Sequence, residues 1–259
     1  MKIVNRSPES TADISSAKGT AFKELRWLLL VITLLVVGIY LVIGFVVDMA
    51  VVHISFETEA AFFESMNASD VAWGKDDEEL RRLDGILEKL TADPSVPPLK
   101  YRLQIVEAEE PNAFAFPGGT IGVTRGLLGA LKEDEELAFV LAHELGHFQN
   151  RDHLRGVGRA VGAGVVFALL FGGEMGSGST GNLYHHVLHR GYSRNQEEAA
   201  DRFGVSLVRR VYGNTDGVDR LFQIISDSDE LPEWAYMFAT HPSPEDRIRD
   251  LKAYAEEAE

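Results

Sequence analysis

Hydrophobic positions change their rhythm several times along this chain, and each rhythm predicts a different element. From Trp27 to Val47 they are continuous: "WLLLVITLLVVGIYLVIGFVV" is 21 residues without a charge, about 30 Å as a helix, which matches the hydrocarbon core of a bilayer. The run predicts one transmembrane helix. A cleaved leader would have a shorter apolar region, of about 7–15 residues, and a small-x-small site after it, which "VVDMAVVH" does not offer. Beyond it the pattern becomes periodic. "DDEELRRLDGILEKL" sets Leu80, Leu83, Leu87 and Leu90 on one side of a helix, and the three prolines of "TADPSVPPLK" end it in a surface connection. Then come short β-rich runs, "YRLQIVEAEE", "NAFAF" and "TIGVT", with "PGG" between the last two as in a hairpin. Helical spacing returns in "DEELAFVLAHELGHFQN", with Leu137, Val140, Leu141 and Leu145 apolar, and again in "GYSRNQEEAADRFGVSLVRRVY". Between these two lies "VGAGVVFALLFGG", Val161 to Gly173. At 13 residues it is too short to span, so it reads as a buried, re-entrant or membrane-surface helix. No repeat period is present.

Charge divides the same chain. Residues 1–26 carry Lys2, Arg6, Lys18, Lys23 and Arg26 against Glu9, Asp13 and Glu24, so the remainder is more acidic than the chain's net −15. The expected organisation is a short cytoplasmic tail at 1–26, its first 17 residues polar, Ser-rich and flexible, an anchor at 27–47 and a soluble domain at 48–259 on the far side of the membrane. An acidic domain disfavours nucleic acid as a partner. There are no cysteines, which excludes disulfides, a cysteine nucleophile and cysteine-ligated zinc. Nothing in the pattern signals an oligomeric state.

The candidate chemistry sits in "LAHELGHFQNRD". On a helix, His143 and His147 share a face and can offer two imidazole nitrogens to one ion. Glu144 lies about 100° round the axis, placed to act as general base on a metal-activated water without being a ligand. HExxH alone also arises by chance in helices, so a third ligand matters. Downstream, Glu197 and Asp201 stand one helical turn apart. Glu197 can complete a two-histidine, one-glutamate shell, with Asp201 accepting from a ligand imidazole. On spacing alone Glu198 competes with Glu197, and a solvated charged face is the bland alternative.

Taken together, "NAFAFPGGTIGVTRGLL", "HELGH", Arg151 with Asp152, "SRNQEEAAD" and "THPSPEDRI" resemble the zinc metallopeptidases that include HtpX and the CAAX prenyl endopeptidases. The matched blocks run in the family's order from Pro111 to Ile248. The resemblance implies one zinc held by His143, His147 and Glu197, with Glu197 selected over Glu198, and Glu144 as catalytic base. It also implies a substrate-side strand at Asn112, Ala113, Phe114, Ala115 and Phe116, where an extended peptide can add by β-augmentation, and His241 as donor to the developing oxyanion. For His241 the alternative is a helix entry, because Ser243 and Pro244 resemble an N-cap and a first-turn proline.

The fold class expected is α+β and mainly helical: a zincin-like domain with a hairpin or small sheet beside the HExxH helix, plus the N-terminal transmembrane helix. The function expected is a membrane-anchored zinc endopeptidase acting on unfolded or misfolded membrane and envelope polypeptides. A non-hydrolytic anchored chaperone using the same groove is the alternative. Prenyl-protein processing is disfavoured, because multi-spanning members of the family carry more spans than the single one found. His185, His186 and His189 suggest a mobile lid over the cleft, while His53 and His153 carry no case beyond solvation or packing.

Overall fold

The computed structural model describes residues 14–67, 78–171, 192–218 and 220–221. The chain divides into two compact units, Met1–Val46 and Val47–Glu259. Helix α1, Ile14–Val51, forms the described part of the first and continues into the second. Its apolar portion is the 30-residue stretch Phe22–Val51, with none of its most apolar window buried. The helix exceeds the uncharged run because neither Lys23, Glu24 and Arg26 at one end nor Asp48 at the other breaks a helix. It is long and apolar enough to cross a membrane.

The second unit is mostly helical: α2 Phe56–Asn67, α3 Glu78–Thr91, α4 Arg125–Ala130, α5 Asp134–Gln149, α6 Asp152–Phe171 and α7 Arg194–Tyr212. Its strands are β1 Arg102–Val106, β2 Ala113–Phe116 and β3 Thr120–Thr124. The expected hairpin is there, β2 antiparallel to β3, and β1 adds to the other side of β3 in parallel, giving the order β1-β3-β2. Gly118 and Gly119 make the turn with φ of 84° and 85°, a left-handed backbone that a side chain resists. Gly122 is required by packing instead: the Phe114 ring lies across it, 2.1 Å from where a Cβ would stand.

Helix α5 is the centre. Every residue from Glu136 to Phe148 is buried, because the helix has the sheet on one side, with α3 and α7 packed round it. Leu83, Leu87 and Leu90 of α3 join its core as the leucine spacing predicts, Leu80 packs against it partly buried, and Ile86 joins them. The "TADPSVPPLK" connection is less superficial than expected, since Val96 is buried and Asp93 accepts from Arg210 Nε of α7 at 2.9 Å. A second cluster gathers Val51, Phe63, Phe114, Phe116, Leu154 and Val157 on the other face of β2.

Candidate metal centre

A catalytic ion needs ligands on rigid elements, and here they come from two packed helices. The α5–α7 pair is the most extensive packing between elements, and glycines set its closeness. A Cβ on Gly146 would lie 2.8 Å from Ala200 Cα, and one on Gly204 would lie 3.1 Å from the His143 backbone nitrogen. With no side chain at either position, α7 approaches closely enough for Glu197 to reach the histidine face.

The three side chains meet in a buried cluster: His143, His147 and Glu197 are 4%, 0% and 0% exposed, with one potential ligand atom from each inside a 4.8 Å span. The two Nε2 atoms are 3.2 Å apart. Glu197 Oε2 is 3.6 Å from His143 Nε2, and Oε1 is 3.8 Å from His147 Nε2. A tetrahedral ion with bonds of about 2.0–2.1 Å holds its ligand atoms about 3.3 Å apart. The cluster therefore has the size of a single-ion site. Glu198 points elsewhere and accepts from Arg202 Nη2 at 3.0 Å on the exposed side of α7.

A carboxylate also stands behind each imidazole. His143 Nδ1 lies 2.9 Å from Asp201 Oδ1, and His147 Nδ1 lies 3.0 Å from Asp152 Oδ2. A carboxylate facing Nδ1 keeps the proton there and leaves the Nε2 lone pair for a metal. Asp201 had this role in the sequence; Asp152 did not. Asp152 is fixed in turn by Gln196 Nε2, which donates to its Oδ1 at 2.7 Å, while Gln196 Oε1 accepts from the Ser193 backbone N–H and so caps α7. Tyr192 stacks on His147, ring centroids 3.8 Å apart.

Asp152 reaches back to His147 because the chain turns sharply between α5 and α6 at Arg151, whose φ of 57° is unique among described non-glycine residues. A left-handed arginine costs about 1–2 kcal/mol, so the side chain must be retained for other contacts. Its guanidinium sits 3.8 Å from the Phe56 ring centroid and 3.5 Å from Glu59 Oε2. Glu59, itself 1% exposed, accepts from Gly118 N–H at 3.0 Å and from His153 Nε2 at 2.8 Å. Burial pushes the Glu59 carboxyl up, but the His153 hydrogen bond and charge, the Gly118 N–H and Arg151 outweigh it and hold it below its ordinary value. His153 is thus a buried hydrogen-bond partner of Glu59, beyond the role expected of it, and the pair ties α2, the hairpin turn and the α5–α6 corner together.

Glu144 is 1% exposed, and its Oε2 has no hydrogen-bond partner among the described residues. A buried carboxylate oxygen left without a donor costs free energy, which suits a group whose partner is a reactant. Of the strand residues, Ala113 and Ala115 face the main core, and Phe114 and Phe116 face the second cluster. Asn112 precedes β2 and its carbonyl accepts from Thr124 N–H at 3.0 Å. The side chains of β2 are therefore core, and only its outer backbone edge lacks a sheet partner among the described residues. His241 and the histidines at 185, 186 and 189 lie outside the described residues.

Residues 77–255 match the sequence model of peptidase family M48. Mitochondrial metalloendopeptidase OMA1 of Schizosaccharomyces pombe is 30% identical over 181 residues, 67% of this chain and 52% of that protein. A protease HtpX homolog of Salinibacter ruber is 30% identical over 189 residues, 60% of this chain and 68% of its own length. Metalloprotease LoiP of Escherichia coli is 29% identical over 180 residues, 68% of this chain and 70% of its length. The chain thus spans about half the length of the OMA1 relative and about 70% of the LoiP relative. With its HExxH helix, its buried His-His-Glu cluster and this match over most of its second unit, the chain belongs to peptidase family M48, a family of metalloproteases.

Proposed function

We propose that this protein is a membrane-anchored zinc endopeptidase that cleaves unfolded or misfolded membrane and envelope polypeptides. The observation that carries this reading is the spacing of His143 Nε2, His147 Nε2 and Glu197 around one point, each histidine backed by a carboxylate. Two nitrogens and a carboxylate oxygen, with no sulfur, suit one zinc ion with an open coordination position. His143, His147 and Glu197 would hold the ion, which when bound would supply water activation near neutral pH and polarisation of a scissile carbonyl.

The chain's own residues do the rest. His143 and His147 present Nε2 because Asp201 and Asp152 occupy the Nδ1 side. Glu144 takes a proton from the attacking water on its unpartnered Oε2 and returns it to the leaving amine. His241 donates to the developing oxyanion. An extended substrate pairs through its backbone with the outer edge of β2, a mode that draws affinity from main-chain hydrogen bonds and suits loosely selected, unfolded segments. The positive flank before the anchor keeps the tail in the cytoplasm and the catalytic unit outside it. Relatives named for β-barrel assembly enhancement and for HtpX protease activity support envelope quality control as the setting.

The test is metal content and casein cleavage by the purified full chain, wild type beside Glu144→Gln, Glu197→Ala and Glu198→Ala. Wild type and Glu198→Ala are expected to hold one zinc and cleave, Glu144→Gln to hold zinc without cleaving, and Glu197→Ala to do neither. Casein binding without turnover by zinc-loaded wild type would overturn the reading in favour of a non-hydrolytic chaperone.

A further inference from the structure

A water-soluble domain scatters its exposed apolar side chains, and a cluster of them marks a contact surface. Among the described residues, large hydrophobic side chains exposed outside the run 22–52 are Phe62, Val161 and Val165, at 64%, 51% and 39%. None is on the sheet, α3, α4, α5 or α7. Phe62 is on α2 beside Phe63, and Val161 and Val165 are on α6. Phe63, Leu154 and Val157 share one cluster with Val51, at the end of the apolar helix. The exposed residues therefore occupy the two elements that pack on the last turn of α1.

Helix α6 is fastened there by charge and by close packing. Arg159 Nη2 donates to both oxygens of Asp48, at 2.9 and 3.0 Å, and Arg155 Nε lies 3.3 Å from Asp48 Oδ1. A Cβ on Gly158 would stand 2.8 Å from Val47 Cγ1. Leu154 and Val157 cluster with Val51 while Gly158 meets Val47, so α6 runs antiparallel to the end of α1. The turn it packs on, residues 47–51, is the last of the apolar stretch Phe22–Val51, and Asp48 with Arg155 and Arg159 makes a charged boundary there. Its sequence changes at that boundary: after Arg159 the helix reads "AVGAGVVFALLF", 12 residues without a charge, about 18 Å long and short of the 30 Å core.

We propose that α6 from Val161 onward inserts part-way into the lipid bilayer, with Arg155 and Arg159 at headgroup level and Phe62 on the same membrane-facing surface. Arginines at such a boundary suit the interfacial layer. Insertion stops part-way because Glu197, which follows in the chain, meets His143 and His147 on one side of the membrane. Lipid is favoured over a second copy of the chain because the exposed side chains sit on the two elements whose buried residues cluster with Val51, the last residue of the apolar helix, and three side chains are far too few for a stable protein interface. The inference goes beyond the proposed peptidase activity and does not depend on it.

Because the chain has no cysteine, single probes report without background. Val161→Cys, Val165→Cys, Phe62→Cys and, as a water-facing control on α3, Glu88→Cys are made in the full chain, labelled with a polarity-sensitive fluorophore and reconstituted in phosphatidylcholine nanodiscs. Quenching by lipid-borne nitroxides is compared with quenching by aqueous iodide. Positions 161, 165 and 62 are expected to quench several-fold more with nitroxide lipid than position 88, with 165 deeper than 161, and to resist iodide. Iodide quenching equal to that of position 88 would overturn the proposal. Shielding from both quenchers would also overturn it, assigning the patch to a second copy of the chain. Position 62, on a separate helix, keeps the result readable if a label on α6 disturbs folding.

Discussion

Asp152 and Asp201 face the Nδ1 atoms of two different imidazoles, Asp152 that of His147 and Asp201 that of His143. Replacing Asp152 by Asn keeps the size but removes the charge that favours an Nδ1 proton, so metal affinity is expected to fall about 10–100-fold. Competition with a chromophoric chelator measures it, and an unchanged affinity would reduce Asp152 to a packing residue. For Glu144→Gln the expectation is the opposite partition: metal affinity unchanged and kcat/KM down by about 10²–10⁴-fold, read by peptide hydrolysis against metal content. Of these residues, His143 with His147, the neighbouring Glu144, and Glu197 with Asp201 were read in the sequence as helical spacings, which left Glu198 competing with Glu197 until the family resemblance chose between them. Asp152 was visible only as part of a motif, because its bond to His147 exists only once Arg151 turns the chain. Glu59 and His153 left no signal, since 94 residues separate them.

Between elements, the decisive contact is α5 against α7. Gly146 lies inside the HELGH motif, yet spacing gives it no role; the fold gives it one, because Ala200 of α7 occupies the space where its Cβ would be. Gly146→Ala improves helix propensity by about 1 kcal/mol and is still expected to weaken metal binding, since either helix must shift and Glu197 moves with α7. Circular dichroism would show the helices retained while chelator competition shows the loss. Farther along α7, Arg210 donates to Asp93 and Ser95, closing the α3 connection onto the helix. The Arg210 hydrogen bond, outweighing the burial that would raise it, holds the Asp93 carboxyl at about 2. A depressed carboxylate stabilises above its unfolded pKa, about 3.9, and the contribution is lost as pH falls from there through about 2. Arg210 is half-exposed, so screening limits the effect to about 1 kcal/mol. Asp93→Asn should accordingly lower thermal stability at pH 7 and converge with wild type near pH 2. The short apolar run at 161–173 hid the extent of α6, because the helix starts at Asp152, where polar residues pack against the metal-site side while the apolar part lies beyond Arg159.

At the level of the whole molecule, the ion site joins two helices that are already joined without it. Thirteen consecutive residues of α5 are buried, and the apolar core extends from α3 through the sheet to α7, so burial rather than metal supplies most of the folding free energy. Removing the ion is therefore expected to leave the second unit folded. What it removes is the mass-action term: with free zinc at about a thousand times Kd, binding adds about 4 kcal/mol to stability. Chelation should then lower Tm by several degrees and abolish peptidase activity while far-ultraviolet circular dichroism stays unchanged at 25 °C, and added zinc should restore both. Loss of helical signal on chelation would mean instead that α7 depends on the ion to dock. In that case the close approach made by Gly146 and Gly204 is a consequence of metal binding, and the site's geometry is assembled rather than preformed.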